Sequence, residues 1–512
     1  MNARARSVAE VFAHADLAAL APTDPGLLAA PLSGLALDSR RVRGGDLFLA
    51  VSGRATDGRR FIGDAVARGA SAILIDGEVD DSDRALAGEV PIAGVDELQR
   101  HIGRLAAAWF DHPSRAMRVL GVTGTNGKTS CTHHLAEMLT ALDHRSGICG
   151  TLGNGFPGAL RYTGLTTADT VTLAASLAWM RDAGAQWVAM EVSSHALDQE
   201  RTAGISFAGV MLTNLTRDHL DYHGSMAAYG EAKRQLFLAP GVEVGVINRD
   251  DPFARELPGR IPSAVEVFDY SLTDPSAALH VRAQRPVGGR LEVELDSLWG
   301  RGTVSTPLLG DFLLSNLLGS VTLLVGLGLP FDAVLAAAGR AHPVVGRLQP
   351  IAHPAGFTAV VDYAHTPDAL AQALKVLRGH FSGRVHCVFG CGGERDPGKR
   401  ALMGEAAASL ADRIIVTDDN PRGEDGDSIV SGILEGIPAT LDVVVERDRR
   451  RAITTAFAGA APGDVVLVAG KGHEDYQEGP QGRLPYSDVA VVEALVADAM
   501  APPQEESACS CG

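Results

Sequence analysis

Residues 121–129, Gly-Val-Thr-Gly-Thr-Asn-Gly-Lys-Thr, combine glycines, a lysine and a hydroxyl at the spacing of a phosphate-binding loop. In such a loop, backbone N–H groups surround the phosphates, Lys128 neutralises them and the Thr129 hydroxyl is suited to Mg²⁺. The usual pattern would require a glycine at Val122, so this is a variant that keeps the later glycines and the lysine. The alternative interpretation is an ordinary glycine turn beside an unrelated lysine.

Two predicted elements must position this loop. An apolar run over 117–122 predicts a buried strand, and 128–142 is typical of a helix whose first N–H groups would face an anion. Two polar clusters, 191–195 and 213–223, also follow predicted strands. A carboxylate such as Glu191 at a strand end suits Mg²⁺, and the alternative there is a strand-capping glutamate with a surface histidine. For 213–223 the alternative is solvated loop polarity.

Length and composition limit the class of protein. The 512 residues suggest three domains, and the formal charge of −17 argues against a general nucleic-acid binder. The six cysteines show no disulfide or zinc spacing, which favours a reducing compartment. No apolar run reaches ~18 residues and the N-terminus lacks a signal-peptide core, so we expect a soluble cytoplasmic protein without membrane insertion.

The chain predicts an α/β protein of three domains and a tail. Proline and polar residues mark boundaries that give domains over 1–115, 116–345 and 346–500. Short apolar runs alternate with helical patterns in the last domain, which is typical of a doubly wound sheet. The polar tail over 501–512, with Cys509 and Cys511, is predicted to be disordered.

Together these stretches resemble the ATP-dependent Mur ligases of cell-wall peptide assembly, whose relatives include folylpolyglutamate synthetase. The loop TGTNGKT, the segment EVSSHAL, the stretch NLTRDHLDYHG and Ala232-Lys233 after Tyr229 all match that family's central domain. The resemblance covers nearly the whole chain. It implies a small α/β UDP-muramoyl-binding domain, a central P-loop-type ATPase domain with a mainly parallel sheet, and a Rossmann-like C-terminal α/β domain.

The resemblance also implies the catalytic and nucleotide-binding residues, with ATP and Mg²⁺ as cofactors. Lys233 is expected to be carbamylated by CO₂ to N6-carboxylysine and to help hold a second Mg²⁺; without the resemblance it would be an exposed helix lysine. The expected catalytic set is Lys128, Glu191, His219 and Lys233, and the expected metal ligands are Thr129, Glu191, His219 and the Lys233 carbamate. The expected ATP-binding residues are Gly124, Thr125, Asn126, Gly127, Lys128, Thr129, Asn316, Arg347, Asp362 and His365, of which His365 could equally be structural.

The two other ligands are assigned in the same way. The residues implied to bind the UDP-muramoyl dipeptide are Ser39, Thr166, Thr167, Ser193 and Arg201. Asp419-Asn-Pro-Arg422 matches the signature of members that add meso-diaminopimelate. An arginine in that signature can bind the second carboxylate of diaminopimelate, which the alternative substrate L-lysine lacks. An ordinary Asn-Pro turn is the alternative. The implied diaminopimelate site consists of Arg395, Asp419, Asn420, Pro421, Arg422, Gly470 and Glu474.

The activity implied is ATP-dependent addition of meso-2,6-diaminopimelate to UDP-N-acetylmuramoyl-L-alanyl-D-glutamate through an acyl phosphate, in peptidoglycan precursor synthesis. Its partners would be these small molecules, without nucleic acid, and the enzyme would be a monomer whose domains close around them. Three alternatives remain: the same ligase using L-lysine, a hydrolytic P-loop ATPase acting as a switch, and a catalytically dead sensor of the UDP-sugar peptide.

Overall fold

A computed structural model describes residues 6–52, 56–287, 290–308 and 310–500 of the chain. The predicted disordered tail, 501–512, lies outside the described residues. The chain divides into two compact units. The first contains most of the chain up to Ala341, and the second contains the chain from His342 onward. The second unit also includes two short earlier segments, one around Arg290 and Leu291 and one from Pro307 to Leu314. None of the described helices is long and apolar enough to cross a membrane.

A four-stranded parallel sheet, in the order β3-β4-β5-β6, organises the N-terminal part of the first unit. Successive residues of β4 point to opposite faces, so that Leu47 and Leu49 pack into one apolar cluster and Phe48 into another. The elements are β1 (Arg6–Ser7), α1 (Val8–His14), α2 (Pro25–Ala29), β2 (Pro31–Leu32), β3 (Gly34–Ala36), β4 (Asp46–Ala50), α3 (Ile62–Ala67), β5 (Ala72–Asp76), α4 (Asp81–Ala87), β6 (Ile92–Val95) and α5 (Leu98–Trp109).

An eleven-stranded sheet forms the rest of the first unit, in the order β10-β9-β8-β11-β7-β12-β13-β14-β15-β16-β17. Its strands are β7 (Arg118–Thr123), β8 (Ser146–Gly150), β9 (Gly153–Phe156), β10 (Ala159–Arg161), β11 (Trp187–Glu191), β12 (Gly209–Leu212), β13 (Val244–Asn248), β14 (Glu266–Ser271), β15 (Leu279–Val287), β16 (Arg290–Ser297) and β17 (Gly300–Thr306). Its helices are α6 (Lys128–Ala141), α7 (Thr170–Asp182), α8 (Ser194–Asp198), α9 (Leu220–His223), α10 (Met226–Arg234), α11 (Pro252–Arg255), α12 (Asp311–Gly326) and α13 (Phe331–Ala338).

The strands from β8 to β14 across this sheet are parallel, as predicted for the central domain. The middle strands are continuous apolar runs because both faces of a parallel sheet are covered. Their carboxyl ends therefore meet at one edge, where β7, β11 and β12 place the three polar stretches found in the sequence. The extension of the sheet through β15, β16 and β17 was not predicted.

The second unit is a doubly wound α/β sheet, as predicted. Its order is β18-β19-β23-β20-β21-β22, parallel except for the edge strand β18. Helices α14, α15 and α16 contact one another in sequence, and α17 contacts α18. The elements are β18 (Gln349–Ala352), β19 (Thr358–Asp362), α14 (Pro367–His380), β20 (Val385–Phe389), α15 (Lys399–Leu410), β21 (Arg413–Val416), α16 (Gly426–Leu434), β22 (Val443–Val445), α17 (Arg449–Ala458), β23 (Val465–Ala469), β24 (Tyr476–Gly479), β25 (Gly482–Pro485) and α18 (Asp488–Met500).

Candidate active site

The predicted phosphate-binding loop joins β7 to α6. Gly124 and Gly127 both have positive φ, 147° and 89°, which favours glycine. A Cβ on Gly124 would lie 1.8 Å from the Thr213 hydroxyl oxygen, and one on Gly127 would lie 2.3 Å from Asn316 Oδ1. The structure therefore places the predicted Asn316, buried in α12, directly against the loop.

Two residues that follow β12 hold the same loop in place. The Thr213 hydroxyl donates to Asn126 O (2.6 Å), while Asn214 Oδ1 accepts from Asn126 N (3.0 Å) and Asn214 O accepts from Thr125 N (2.9 Å). The Lys128 ammonium donates to Gly124 O (2.8 Å) and Thr125 O (2.9 Å). From the sequence, Thr213 and Asn214 were predicted only as members of the polar cluster over 213–223. Their position directly after a predicted strand was the feature that could have indicated contact with the phosphate loop.

Glu191 ends β11 and is 1% exposed. Its Oε2 accepts hydrogen bonds from the hydroxyls of Thr129 (2.9 Å) and Thr151 (3.1 Å), and its Oε1 accepts one from Thr151 N (2.8 Å). The predicted pair Thr129 and Glu191 is therefore brought together, and it forms an oxygen-rich cluster of the kind that Mg²⁺ prefers. Sequence reasoning missed Thr151, which follows β8 at the same edge of the sheet.

Lys233 is not an exposed helix lysine, as the sequence without the family resemblance predicted, because it is 1% exposed in α10. Its ammonium donates to Gly124 O (2.8 Å) and lies 4.3 Å from the centre of the Tyr229 ring. Burial, with a smaller contribution from the nearby Lys128, lowers the pKa of Lys233 well below its usual value. The side chain is thereby shifted toward the neutral amine.

His219 lies close to this cluster without completing a metal cage. Its backbone is left-handed (φ 52°), its Nε2 is 3.4 Å from Asp218 Oδ2, and its ring centre is 4.7 Å from that of His195 and 6.1 Å from that of Tyr229. Within the described residues, no three His, Cys, Asp or Glu side chains form a metal-binding group. A metal ion at this site would therefore be held by the Glu191 carboxylate together with hydroxyl oxygens such as that of Thr129.

The predicted dipeptide-binding residues converge on the strand end of Glu191. The Thr167 hydroxyl donates to Glu191 O (2.9 Å) and accepts from Ser193 N (3.0 Å), and Thr167 O accepts from Arg201 Nη1 (2.9 Å). The neighbouring hydroxyls of Thr166 and Thr151 are 3.1 Å apart. Four of the five predicted residues (Thr166, Thr167, Ser193 and Arg201) thus form one polar surface beside the phosphate loop.

Ser39, the fifth of these residues, lies in a short 3₁₀ helix that begins after Asp38 and is buried. The same helix carries Arg41, which donates to the Thr172 hydroxyl (3.2 Å) and lies 3.7 Å from the Asp169 carboxylate. Asp169 caps α7 directly after the segment that contains Thr166 and Thr167. The element that carries Ser39 therefore contacts the start of α7, which follows Thr166 and Thr167 in the chain.

In the second unit, the signature residues follow β21 and β23. Asn420 Nδ2 donates to Glu474 Oε2 (2.9 Å), and Arg422 donates from Nη1 to Gly393 O (2.7 Å). Asp419 is 8% exposed, and its Oδ2 has no hydrogen-bond partner among the described residues. A buried carboxylate oxygen of this kind is costly unless a ligand or water satisfies it, so the pocket is suited to a cationic group.

Glycines keep this pocket open. A Cβ on Gly470, whose φ is 120°, would lie 2.5 Å from Asp419 Oδ2. A Cβ on Gly392 would lie 3.0 Å from Arg422 Nη1 and 3.7 Å from Arg395 Cγ. Both predicted arginines therefore lie over the same glycine, while Pro421 lines an adjacent cavity of about 510 Å³.

The remaining predicted nucleotide residues lie near one another in the second unit. Arg347 packs its guanidinium 4.5 Å from the centre of the Tyr363 ring, and Asp362 accepts backbone hydrogen bonds from Leu348 (2.7 Å) and Ala364 (3.0 Å). Burial raises the pKa of Asp362 and lowers that of His365, whose Nδ1 is 2.8 Å from Tyr363 O. Asp362 and His365 thus have evident structural roles, and their contact with ATP stays a prediction.

Family comparison defines the class to which this fold and site belong. Residues 31–110 match the Mur ligase family catalytic domain, 122–324 match the Mur ligase middle domain, and 346–472 match the Mur ligase glutamate ligase domain. The chain belongs to the Mur ligase family of ATP-dependent ligases.

Two curated relatives and one solved structure are similar to the chain over most of its length. The chain is 46% identical over 473 residues to the UDP-N-acetylmuramoyl-L-alanyl-D-glutamate--2,6-diaminopimelate ligase of Alkalilimnicola ehrlichii, covering 91% of this chain and 95% of the relative. It is 48% identical over 463 residues to the enzyme of the same name from Pseudomonas aeruginosa, covering 90% and 94%. A solved structure with that name aligns with a TM-score of 0.71 at 33% identity, covering 98% of this chain and 100% of the other.

Proposed function

We propose that this chain joins meso-2,6-diaminopimelate to the D-glutamyl γ-carboxylate of UDP-N-acetylmuramoyl-L-alanyl-D-glutamate, with cleavage of ATP to ADP and phosphate. The observation that carries the proposal is the amine pocket of the second unit. Arg395 and Arg422 lie over Gly392, and the segment that carries Arg422 also carries Asp419 and Asn420, of which Asn420 donates to Glu474. Arginines and carboxylates in one pocket suit the zwitterionic far end of diaminopimelate, which L-lysine lacks.

The phosphate loop supports the first chemical step. A carboxylate is a poor electrophile, so a γ-carboxylate oxygen attacks the γ-phosphorus of ATP and ADP leaves, which produces an acyl phosphate. Loop N–H groups and Lys128, whose ammonium lies at the loop on Gly124 O and Thr125 O, would neutralise the phosphates. Such phosphoryl transfer depends mainly on position and charge. The protein supplies no covalent nucleophile. Thr167, Ser193 and Arg201 would orient the dipeptide beside the loop.

The donor set fits magnesium. Hydroxyl and carboxylate oxygens of Thr129 and Glu191 are already 2.9 Å apart, and both atom types are common Mg²⁺ ligands. These two residues would hold one ion, with His219 nearby and the Lys233 carbamate contributing to a second. The ions would supply charge neutralisation at the phosphates.

Modification of Lys233 is supported by its environment. The neutral amine is the form that attacks CO₂: the nitrogen lone pair forms the N–C bond and a proton leaves to solvent, which yields a carbamate. Burial shifts Lys233 toward that neutral form. The change places an anion beside the Lys128 ammonium, where opposite charges attract.

In the second step, the uncharged amine of diaminopimelate attacks the acyl carbon. The C–N bond forms, phosphate leaves and the nitrogen loses a proton. Asp419 and Glu474 would bind the far ammonium, while Arg395 and Arg422 would bind the far carboxylate. We infer that the enzyme works as a cytoplasmic monomer in peptidoglycan precursor synthesis, with domain boundaries near residues 115 and 345.

Phosphate release measured with each substrate omitted in turn tests this proposal. The ligase requires ATP, the UDP-muramoyl dipeptide and diaminopimelate together for sustained release. Release that persists without the amine would instead indicate a hydrolytic ATPase switch. Tight binding of the nucleotide-peptide with no release under any condition would indicate a catalytically dead sensor.

A further inference from the structure

Lys471 is fully buried next to the proposed amine pocket. Its ammonium donates to Asn420 Oδ1 (3.0 Å) and to Glu474 Oε2 (2.7 Å), and it lies 5.3 Å from the centre of the Tyr476 ring. An ammonium without exposure to water is costly unless it is paired and hydrogen-bonded. Lys471 is therefore held by these contacts, and it in turn constrains the two pocket residues that accept its hydrogen bonds, Asn420 and Glu474.

The first effect of Lys471 is on the orientation of Asn420. Asn420 Oδ1 accepts from Lys471 Nζ and from Glu478 N (2.9 Å), so both donors face the oxygen. The amide nitrogen must then point the other way, where it donates to Glu474 Oε2. Rotating the amide by 180° would set its N–H groups against two donors.

The second effect is on the Glu474 carboxylate. Oε2 accepts from both Lys471 and Asn420, whereas no described residue donates to Oε1. The carboxylate is therefore fixed with Oε1 available to a ligand, while Oε2 is occupied by the Lys471 ammonium and the Asn420 amide. A lone ammonium on a ligand meets an anion whose charge is already partly balanced.

We propose that Lys471 is a specificity-determining positioning residue, which fixes Asn420 and Glu474 for a zwitterionic head and weakens the pocket for a lone ammonium. This inference rests on the proposed function. L-lysine would offer only an ammonium to the partly balanced Glu474, whereas diaminopimelate also gains the contact of its carboxylate with Arg422. Lys471 thus favours diaminopimelate over L-lysine without contacting the reacting atoms.

Steady-state kinetics of Lys471→Met in the full-length enzyme test the proposal, with the exposed helix lysine variant Lys375→Met as the matched control. We expect the KM for diaminopimelate to rise at least tenfold and the KM for ATP to stay within twofold. The ratio of kcat/KM for diaminopimelate to that for L-lysine should fall at least fivefold. An unchanged ratio, or an equal change for all substrates, would overturn the inference.

A double-mutant cycle with Glu474→Gln separates positioning from general destabilisation. If Lys471 acts through Glu474, adding Lys471→Met to the Glu474→Gln enzyme changes the KM for diaminopimelate less than threefold. A further tenfold loss in that background would overturn the inference, and this comparison stands even if the single variant does not fold. Wild-type enzyme that forms no diaminopimelate adduct would overturn the proposed function together with it.

Discussion

At the scale of single residues, the site depends on side chains whose environment changes their chemistry. Lys233 shows this most clearly, because its amine is buried beside another lysine and its pKa is lowered. Glu191 shows the opposite arrangement, since its buried carboxylate is satisfied by the hydroxyls of Thr129 and Thr151 and by Thr151 N. In the proposed mechanism, a carbamate on Lys233 and the Glu191 carboxylate would together balance bound cations.

Replacing Lys233 by alanine is expected to abolish turnover, because the carbamate oxygens are lost. Added short-chain carboxylates should restore part of the activity, since they can occupy the space of the missing group. Phosphate release with and without acetate or formate measures this effect, with Lys375→Ala as the control. Full activity of Lys233→Ala without any addition would refute the role of the carbamate.

Replacing Arg422 by alanine should raise the KM for diaminopimelate more than that for ATP. The difference is expected to correspond to about 2 to 4 kcal/mol, the value of a charge-assisted contact. The exposed Arg450→Ala in the same unit provides the control. An unchanged KM for diaminopimelate would show that Arg422 does not bind this substrate.

The sequence predicted the chemical groups of the site better than their surroundings. Glycine, lysine and hydroxyl at fixed spacing identified the phosphate loop, since those positions are set within one short segment. Thr151 and Lys471 were missed because their roles depend on residues far along the chain, Glu191 and Asn420 respectively. The role expected of Lys233 came from the family resemblance alone, and its burial was not predicted, because no local pattern distinguishes it from a solvated helix lysine.

At the scale of elements, the turn from β7 into α6 requires glycine for two separate reasons. Gly124→Ala would place a methyl group 1.8 Å from the Thr213 hydroxyl oxygen, in addition to the strain of its positive φ. Gly328 also has positive φ, but a Cβ there would meet nothing within 4 Å. Gly328→Ala would therefore add backbone strain without a steric clash. We expect Gly124→Ala to lower the melting temperature more and to remove stabilisation by ATP. Equal melting temperatures with intact ATP stabilisation would contradict this.

Helix α6 also carries a buried histidine that should make the first unit sensitive to acid. His134 is fully buried, neither ring nitrogen has a hydrogen-bond partner among the described residues, and burial lowers its pKa to about 3. Because the unfolded chain binds this proton more readily, stability is present above pH ~6.5 and falls as the pH drops toward 3. At pH 4 the loss is about 3 kcal/mol.

Denaturant unfolding at pH 7 and pH 4 measures this loss. His134→Leu should reduce the difference in unfolding free energy between the two pH values, because the apolar side chain binds no proton. A variant that loses as much stability in acid as the wild type would show that other groups control the transition.

Predicted strands in the middle of both sheets were confirmed, because buried parallel strands are continuous apolar runs that a sequence shows directly. The strand predicted over 117–122 corresponds to β7, and the short apolar runs of the last domain include β20. The extension through β15, β16 and β17 was not predicted. Those strands are partly exposed and carry many charged residues, so their apolar pattern is weak.

At the scale of the whole molecule, the proposed ligand-binding residues are divided between the two compact units. The proposed phosphate, metal and dipeptide residues belong to the first unit, and the proposed amine residues to the second. Family membership accounts for the α/β architecture of both, since the three matched domains span most of the chain. In the proposed mechanism, activation of one substrate and selection of the other are therefore functions of separate sheets.

Competition between the two amines tests the central claim most directly. Enzyme, ATP and UDP-muramoyl dipeptide are supplied with equal concentrations of meso-diaminopimelate and L-lysine, and the products are separated by mass. If the amine pocket selects its substrate through Arg395 and Arg422, the diaminopimelate adduct should account for nearly all of the product. A lysine adduct in equal or greater amount would contradict it.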